Sequence, residues 1–187
     1  IHLTQIENLV FADNNLTTLP AFFFNLNYLK SLDISNVHTA MAEYYNDIQR
    51  FPKVLLRMPG LEKLFLEKLP LRNLPKDLYR MKSLQVLSLN GNREMNLSQT
   101  FEVLSTMRNL VALDLSFIGR RTLPKNISKL KNLKVLIWHE ENKLNADYIE
   151  NTLKVLLPDT RIYYGKKGIA SPFLRGNSIN TLKKAGY

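Results

Sequence analysis

The sequence predicts an α/β solenoid, with a curved parallel β-sheet on the concave side and helices and extended turns on the convex side. Three observations predict it: an apolar pattern recurring along most of the chain, a two-residue alternation inside each copy, and a composition able to fill a core. With 187 residues and 45% hydrophobic side chains, the chain is large enough to bury one continuous interior.

The first copy reads Leu3-x-x-Ile6-x-x-Leu9-x-Phe11-x-x-Asn14-x-Leu16-x-x-Leu19-Pro20. The same frame returns as Leu26-x-x-Leu29-x-x-Leu32-x-Ile34, and as Met58-x-x-Leu61-x-x-Leu64-x-Leu66 ending in Leu74-Pro75. It returns again as Leu78-x-x-Met81-x-x-Leu84-x-x-Leu87-x-Leu89-x-x-Asn92, as Met107-x-x-Leu110-x-x-Leu113-x-Leu115 ending in Leu123-Pro124, and as Leu130-x-x-Leu133-x-x-Leu136-x-Trp138. In each L-x-L pair the two apolar residues point to one face of a short strand, and the apolar residues before them face the same interior. One such unit cannot bury its face alone, so the units must stack.

On these residues, from Leu3 to about Tyr164, the chain resembles the leucine-rich-repeat family. Marking each copy by its first strand residue (Leu9, Leu32, Leu64, Leu87, Leu113, Leu136 and then Ile162) gives spacings of 23, 32, 23, 26, 23 and 26 residues. Short and long repeats alternate, which implies a two-repeat unit duplicated about three times. The short repeats carry Leu-Pro, whose fixed φ suits a tight extended return on the convex side. The long ones are expected to place a helix there, over Ala40 to Arg50 and Leu97 to Met107, with Ser98 and Asp147 near helix starts. The turn asparagine of the family pattern stands only at Asn14 and Asn92; Val37, Leu69, Ile118 and Glu141 fill the other slots. Those turns must find other partners for their backbone groups, with looser geometry expected there.

Residues 1–164 form the expected repeat domain. Within it, 146–157 is apolar at helical spacing and Arg161-Ile162-Tyr163-Tyr164 reads as a terminal strand. Residues 165–187 form a capping or flexible tail, with Ile169, Phe173, Leu174, Ile179 and Leu182 available for burial. The chain begins at Ile1 with neither methionine nor a basic-then-apolar leader, and Ile1 to Gln5 offers little cover for an open solenoid end. It is therefore expected to be processed or cut from something longer.

Composition removes several functions. There is no cysteine, hence no disulfide, thiolate zinc site or thiol nucleophile. No apolar run approaches the ~20 residues of a membrane span. No glycine-rich phosphate loop, paired-histidine metal spacing or nucleophile elbow occurs. The run His139-Glu140-Glu141 cannot converge on a metal if it is extended, because alternate side chains point to opposite faces. Asp33, Ser35, Asp114 and Ser116 look like hydrolase parts but sit at equivalent strand positions of different repeats, with no histidine beside them in register. No cofactor and no enzymatic activity are expected. Three Asn-x-Ser/Thr sequons begin at Asn15, Asn96 and Asn126.

Residues flanking the inward leucines must face the concave side. One column reads Val10, Asp33, Phe65, Ser88, Asp114, Ile137, and the next Ala12, Ser35, Glu67, Asn90, Ser116, His139. Outer flanks add Asn8, Ser31, Lys63, Val86, Ala112 and Val135 on one side, and Asp13, Asn36, Lys68, Gly91, Phe117 and Glu140 on the other. This face carries five acids against two lysines, although the chain as a whole has a net charge of +10. The basic excess must lie on the convex side and the tail, which argues against a nucleic-acid partner reading the concave face. Exposed Phe65 and Phe117, with Val10, Val86, Val135 and Ile137, are expected to make an apolar patch rimmed by acids, the composition of a protein-binding centre. The expected partner-binding residues are Val10, Asp33, Phe65, Glu67, Ser88, Asn90, Asp114, Ser116, Phe117, Ile137 and His139.

The family resemblance implies a monomeric, non-catalytic module that binds a protein on its concave sheet. The alternatives are binding of an anionic glycan, lipid or nucleic acid by the basic convex surface, or service as the targeting part of a larger protein. The irregular repeats point to a bacterial, extracytoplasmic or cell-surface setting.

Overall fold

The computed structural model describes residues 5–36, 45–140 and 146–164. Its spine is one parallel sheet of seven strands in strict chain order: β1 Asn8–Val10, β2 Ser31–Asp33, β3 Lys63–Phe65, β4 Val86–Ser88, β5 Ala112–Asp114, β6 Val135–Ile137 and β7 Arg161–Tyr163. Each strand pairs only with its neighbours, and the register aligns Leu9, Leu32, Leu64, Leu87, Leu113, Leu136 and Ile162 in one row. That row is the series of markers read from the repeat. Its five central members are fully buried, because the residue between two outward neighbours must point into the solenoid.

The apolar residues ahead of each strand recur every third position for a definite backbone reason. Pro20, Pro52, Pro75 and Pro124 each precede a 3-10 helix: Ala21–Asn25, Lys53–Arg57, Lys76–Arg80 and Lys125–Lys129. The amides of Phe23, Leu55, Leu78 and Ile127 donate to these proline carbonyls at 3.1, 3.0, 3.1 and 3.0 Å. Leu26, Met58, Met81 and Leu130 then donate back to those four residues, and Leu29, Leu61, Leu84 and Leu133 donate to these in turn. Successive three-residue turns eclipse every third side chain, so one apolar row faces inward. All twelve of these side chains are buried. The expected extended return at Leu-Pro is thus confined to the proline itself, which launches a 3-10 helix.

The long repeats divide into two kinds. Between β4 and β5 lies the helix α1, Leu97–Leu104, which buries Leu97, Phe101, Val103 and Leu104. It starts at Asn96 rather than Ser98: the Asn96 Oδ1 accepts the Gln99 amide at 3.1 Å, satisfying one of the free N–H groups of the first turn. Between β6 and β7, helical turns Ala146–Tyr148 and Lys154–Leu156 are joined by the π-helical Ile149–Leu153. The longest repeat, between β2 and β3, differs. Residues 45–50 of the expected Ala40–Arg50 helix are not helical, and the first part of that expectation falls outside the described residues.

Asn46 explains why this repeat is extended there. It is fully buried. Its Oδ1 accepts the amides of Asn14 at 3.1 Å and Leu16 at 2.8 Å, while its Nδ2 donates to the carbonyl of Ile34 at 3.0 Å. Asn36 completes the bracket, accepting the Asn46 amide at 2.7 Å and donating to the carbonyls of Asn46 and Lys68. The missing turn asparagines are thus replaced by side chains from other positions. Glu140 does the same further along, accepting the Gly119 amide at 3.1 Å and the Trp138 indole N–H at 3.3 Å. Asn92 keeps the family role, with its Nδ2 on the carbonyls of Leu66 and Leu89 at 2.7 and 2.9 Å.

The main core runs without interruption from Phe23 to Leu157 between the sheet and the convex turns. Its first repeat is packed by the rings of Phe11, Phe22 and Phe23, and its last by Trp138 set edge-on to Tyr148. The Tyr148 hydroxyl both accepts the Leu123 amide and donates to the Leu123 carbonyl, tying the final helical segment to the convex turn before it. Among the described residues, no helix is long and apolar enough to cross a membrane.

Candidate functional site

The strand residues on either side of the inward row build a second apolar surface, separate from the main core. Phe65, Val86, Ala112, Val135 and Ile137 form this strip, and Tyr163 of β7 packs against it. It runs from β3 to β7 and draws on both outward columns: Phe65, Ile137 and Tyr163 from one, Val86, Ala112 and Val135 from the other. Sequence parity placed these residues on the concave face, and the register brings them together.

Their exposure is the opposite of what the sequence suggests. Phe65 is 2% exposed, Val135 and Ile137 1%, and Val86 and Ala112 0%. The strip is therefore buried rather than solvent-facing. The acids expected at its rim are buried too: Asp33 at 4%, Glu67 at 6% and Asp114 at 0%. The other end of the same face is open. Val10 is 73% exposed, Asn8 is exposed, and Ser31 and Lys63 are half-buried.

Phe117 does not join the strip. It follows β5 in a turn with a φ of 56°, a left-handed conformation shared at the equivalent slots by Asp13, Lys68 and Gly91. This conformation costs roughly 1–2 kcal/mol for a residue with a Cβ. Gly91 is required at its slot, since an added Cβ would lie 2.7 Å from the Lys68 Cγ. The expected patch of Phe65, Phe117, Val10, Val86, Val135 and Ile137 is therefore corrected: Phe117 and Val10 stand apart, while Ala112 and Tyr163 belong to it.

The polar residues beside the strip tie strand ends together. The Asp33 Oδ1 accepts the Ser35 amide at 3.0 Å, and the Asp114 Oδ1 accepts the Ser116 amide at 2.8 Å, the same turn in two repeats. The hydroxyl oxygens of Ser35 and Ser116 accept amides from the following repeat, those of Glu67 at 3.0 Å and His139 at 3.1 Å. Ser88 donates its hydroxyl to the Glu67 Oε1 at 2.9 Å. The same bracket thus serves two stacking steps, β2 to β3 and β5 to β6.

Burial dominates the titration of this group. It pushes the Asp114 carboxyl up to about 6, against the lowering effect of its hydrogen bond from Ser116. Burial also holds the His139 imidazole below the ordinary histidine value. Among the described residues, the Asn90 Oδ1, the Asp114 Oδ2 and both His139 ring nitrogens are buried without a hydrogen-bond partner. Among the described residues, no three His, Asp or Glu side chains gather as a metal site. Glu141, part of the His139-Glu140-Glu141 run, lies outside the described residues.

Of the basic residues expected on the convex side, Lys134 is half-buried, and Lys166, Lys167, Lys183 and Lys184 lie outside the described residues. Lys53, Arg57, Lys76, Arg80, Lys82, Arg120, Arg121, Lys125, Lys129 and Lys131 are all exposed. The sequon side chains Asn96 and Asn126 are engaged. Asn96 caps α1, and the Asn126 Nδ2 donates to the Ser98 carbonyl at 2.9 Å and the Glu102 Oε1 at 2.7 Å.

A parallel sheet in strict chain order, with one inward apolar row and short convex turns, defines a repeat solenoid, and comparison with solved structures places it. The chain is similar to internalin C2 of Listeria monocytogenes, with a TM-score of 0.61 and 21% identity over 87% of this chain and 62% of that one. It is also similar to a leucine-rich-repeat protein of Leptospira interrogans, with a TM-score of 0.54 and 24% identity over 84% of this chain and 42% of that one. The chain thus spans less than two thirds of either structure. No protein-family model and no curated protein sequence matches it. Its fold is that of a leucine-rich-repeat solenoid.

Proposed function

We propose that this chain is a non-catalytic protein-binding module whose recognition face is the concave sheet. The observation that carries this reading is the second apolar strip. A solenoid needs only its inward row to fold, so Phe65, Val86, Val135 and Ile137 on the outward face have no part in the main core. An apolar centre flanked by Asp33, Glu67 and Asp114 has the composition of a surface made to be covered by another polypeptide. The likeness to a Listeria and a Leptospira protein supports a bacterial source, and an extracytoplasmic setting accords with it.

The test compares the full chain with a Phe65→Ala/Ile137→Ala double variant, matched by circular dichroism, as baits for proteins from a lysate of the source. Both substitutions lie outside the main core. A protein held by the parent at physiological salt and lost from the variant is the expected result. Capture that survives in the variant but vanishes as salt is raised would move recognition to the basic convex surface.

A further inference from the structure

The turn that leads into each strand closes on one hydrogen bond, with the amides of Leu84, Leu110 and Leu133 donating to the carbonyls of Met81, Met107 and Leu130 at 3.2, 3.4 and 3.1 Å. The first residue inside that turn is Lys82, Arg108 and Lys131 in three consecutive repeats. All three are exposed, and among the described residues none of them makes an ion pair. Cations close by are already paired: Arg80 lies 3.9 Å from Asp77, and Lys129 sits 2.8 Å from Glu102. The same slot holds Asn27 and Pro59 in earlier turns and Pro158, followed by Asp159, in the last. The repeat therefore supplies the position, and only three of its turns fill it with charge.

Stacking makes these side chains a row. The Asn109 Nδ2 donates to the Lys82 carbonyl at 2.6 Å, and the Val111 and Lys134 amides donate to the carbonyls of Gln85 and Val111 at 2.9 and 2.8 Å, so successive turns lie in register. Neighbouring strands are about 5 Å apart, which sets the step from one turn to the next at the sheet. Between the first two turns lies a cleft of about 460 Å³, flanked by Lys82 and Arg108 and floored by the buried Met81, Leu84 and Met107. Tyr79 also lines it and is 56% exposed. The corresponding cleft beside Asn27 and Pro59 has a similar volume, about 470 Å³, but no cation in either slot.

We propose that Lys82, Arg108 and Lys131, with the cleft at Tyr79, bind a linear acidic polysaccharide. An extended chain of sugar rings, each bearing a sulfate or carboxylate, presents its anions in single file, as the row presents its cations. The apolar face of a sugar ring can rest on the exposed Tyr79 ring, whose hydroxyl stays in water. The Asn109 Oδ1 and the exposed Asn132 carboxamide stand in the next slot of the turn to meet sugar hydroxyls. A single-stranded nucleic acid matches the row less well, because successive bases need successive aromatic platforms. The slot of Tyr79 holds Ser105 and Ser128 in the next two turns. A membrane surface calls for a broad basic face with apolar anchors rather than a single file of charge. This binding is additional to recognition on the concave sheet and does not rest on it.

The test uses a size-defined, fluorescently labelled heparin oligosaccharide as the probe and follows its anisotropy on titration with the full chain at physiological salt. The parent is compared with Lys82→Ser/Arg108→Ser/Lys131→Ser and with a charge-matched control, Lys53→Ser/Lys76→Ser/Lys125→Ser. The control residues are exposed and follow the convex prolines, where α1 interrupts their series. The row variant is expected to bind at least about tenfold more weakly, and the control within about twofold of the parent. Lys82→Arg/Arg108→Lys/Lys131→Arg, which preserves the charge, should keep the parent affinity, and Trp138 fluorescence verifies that each variant is folded.

Equal losses in the two serine variants would overturn the inference, leaving only diffuse attraction to a chain of net charge +10. Displacement of the probe by an oligothymidylate, or by phosphatidylserine vesicles, at a lower anion concentration than unlabelled heparin requires would overturn it in favour of nucleic acid or a membrane. Phe65→Ala/Ile137→Ala is expected to leave heparin binding unchanged, and a loss in that variant would count against the row. Heparin binding and protein capture therefore fail separately.

Discussion

Asp114 shows what it costs to place a carboxylate under cover. It is fully buried, one of its oxygens accepts the Ser116 amide at 2.8 Å, and the other has no hydrogen-bond partner among the described residues. Its folded pKa of about 6 stands above the ordinary aspartate value of 3.8. The folded state therefore binds this proton more tightly than the unfolded state. The stabilisation is complete below about pH 4 and is lost as pH rises through about 6, a loss of roughly 3 kcal/mol in all. Asp114→Asn keeps an oxygen for the Ser116 amide and removes the titration. Urea unfolding from pH 4 to pH 7.5 is expected to show parent and variant closest at the acid end and the variant increasingly more stable towards neutral pH. Curves that run parallel would mean that Asp114 ionises freely in the folded chain.

At the scale of single elements, the solenoid uses two ways of returning from one strand to the next. Four returns use a proline, whose fixed φ turns the chain, followed by a 3-10 helix with no side-chain cap. The return through α1 is different, since an α-helix leaves four amides free at its start and Asn96 covers one of them. Asn96→Ala is expected to cost about 1 kcal/mol in urea unfolding. Asn96→Asp, which preserves the acceptor, should cost much less. Equal losses in the two variants would show that the cap is not what holds the helix start.

Across the whole molecule, stability is a sum over neighbouring repeats. Leu87 sits in the middle of the row, between Leu64 and Leu113, and is fully buried, whereas Ile162 on the end strand is half-buried with one strand neighbour. Leu87→Ala should cost about 3–5 kcal/mol, near the top of the range for a buried leucine. Ile162→Ala should cost less than half as much. Similar losses at both sites would contradict nearest-neighbour stacking and would point instead to a chain that unfolds as one indivisible block. The separation of the concave strip from this row is also a property of the whole molecule, because it lets Phe65 and Ile137 change without opening the main core.

The sequence by itself determined the solenoid, the strand register and the membership of the inward row. Each repeat makes the same local demands, a period of two in the strand and of three in the turns, and stacking identical units leaves only one register. Parity also assigned Phe65, Val86, Ala112, Val135 and Ile137 to the concave side. Tertiary structure alone decided the rest. Asn46 and Glu140 satisfy turns that their own repeats do not contain, through contacts 30 to 32 residues away for Asn46 and 20 to 21 for Glu140. Phe117 was misplaced because side-chain parity ends where the strand ends, and a left-handed turn redirects it. Above all, a strand pattern shows which way a side chain points but not what lies over it. The burial of Phe65, Val86, Ala112, Val135 and Ile137 is a property of the folded chain that no local periodicity records.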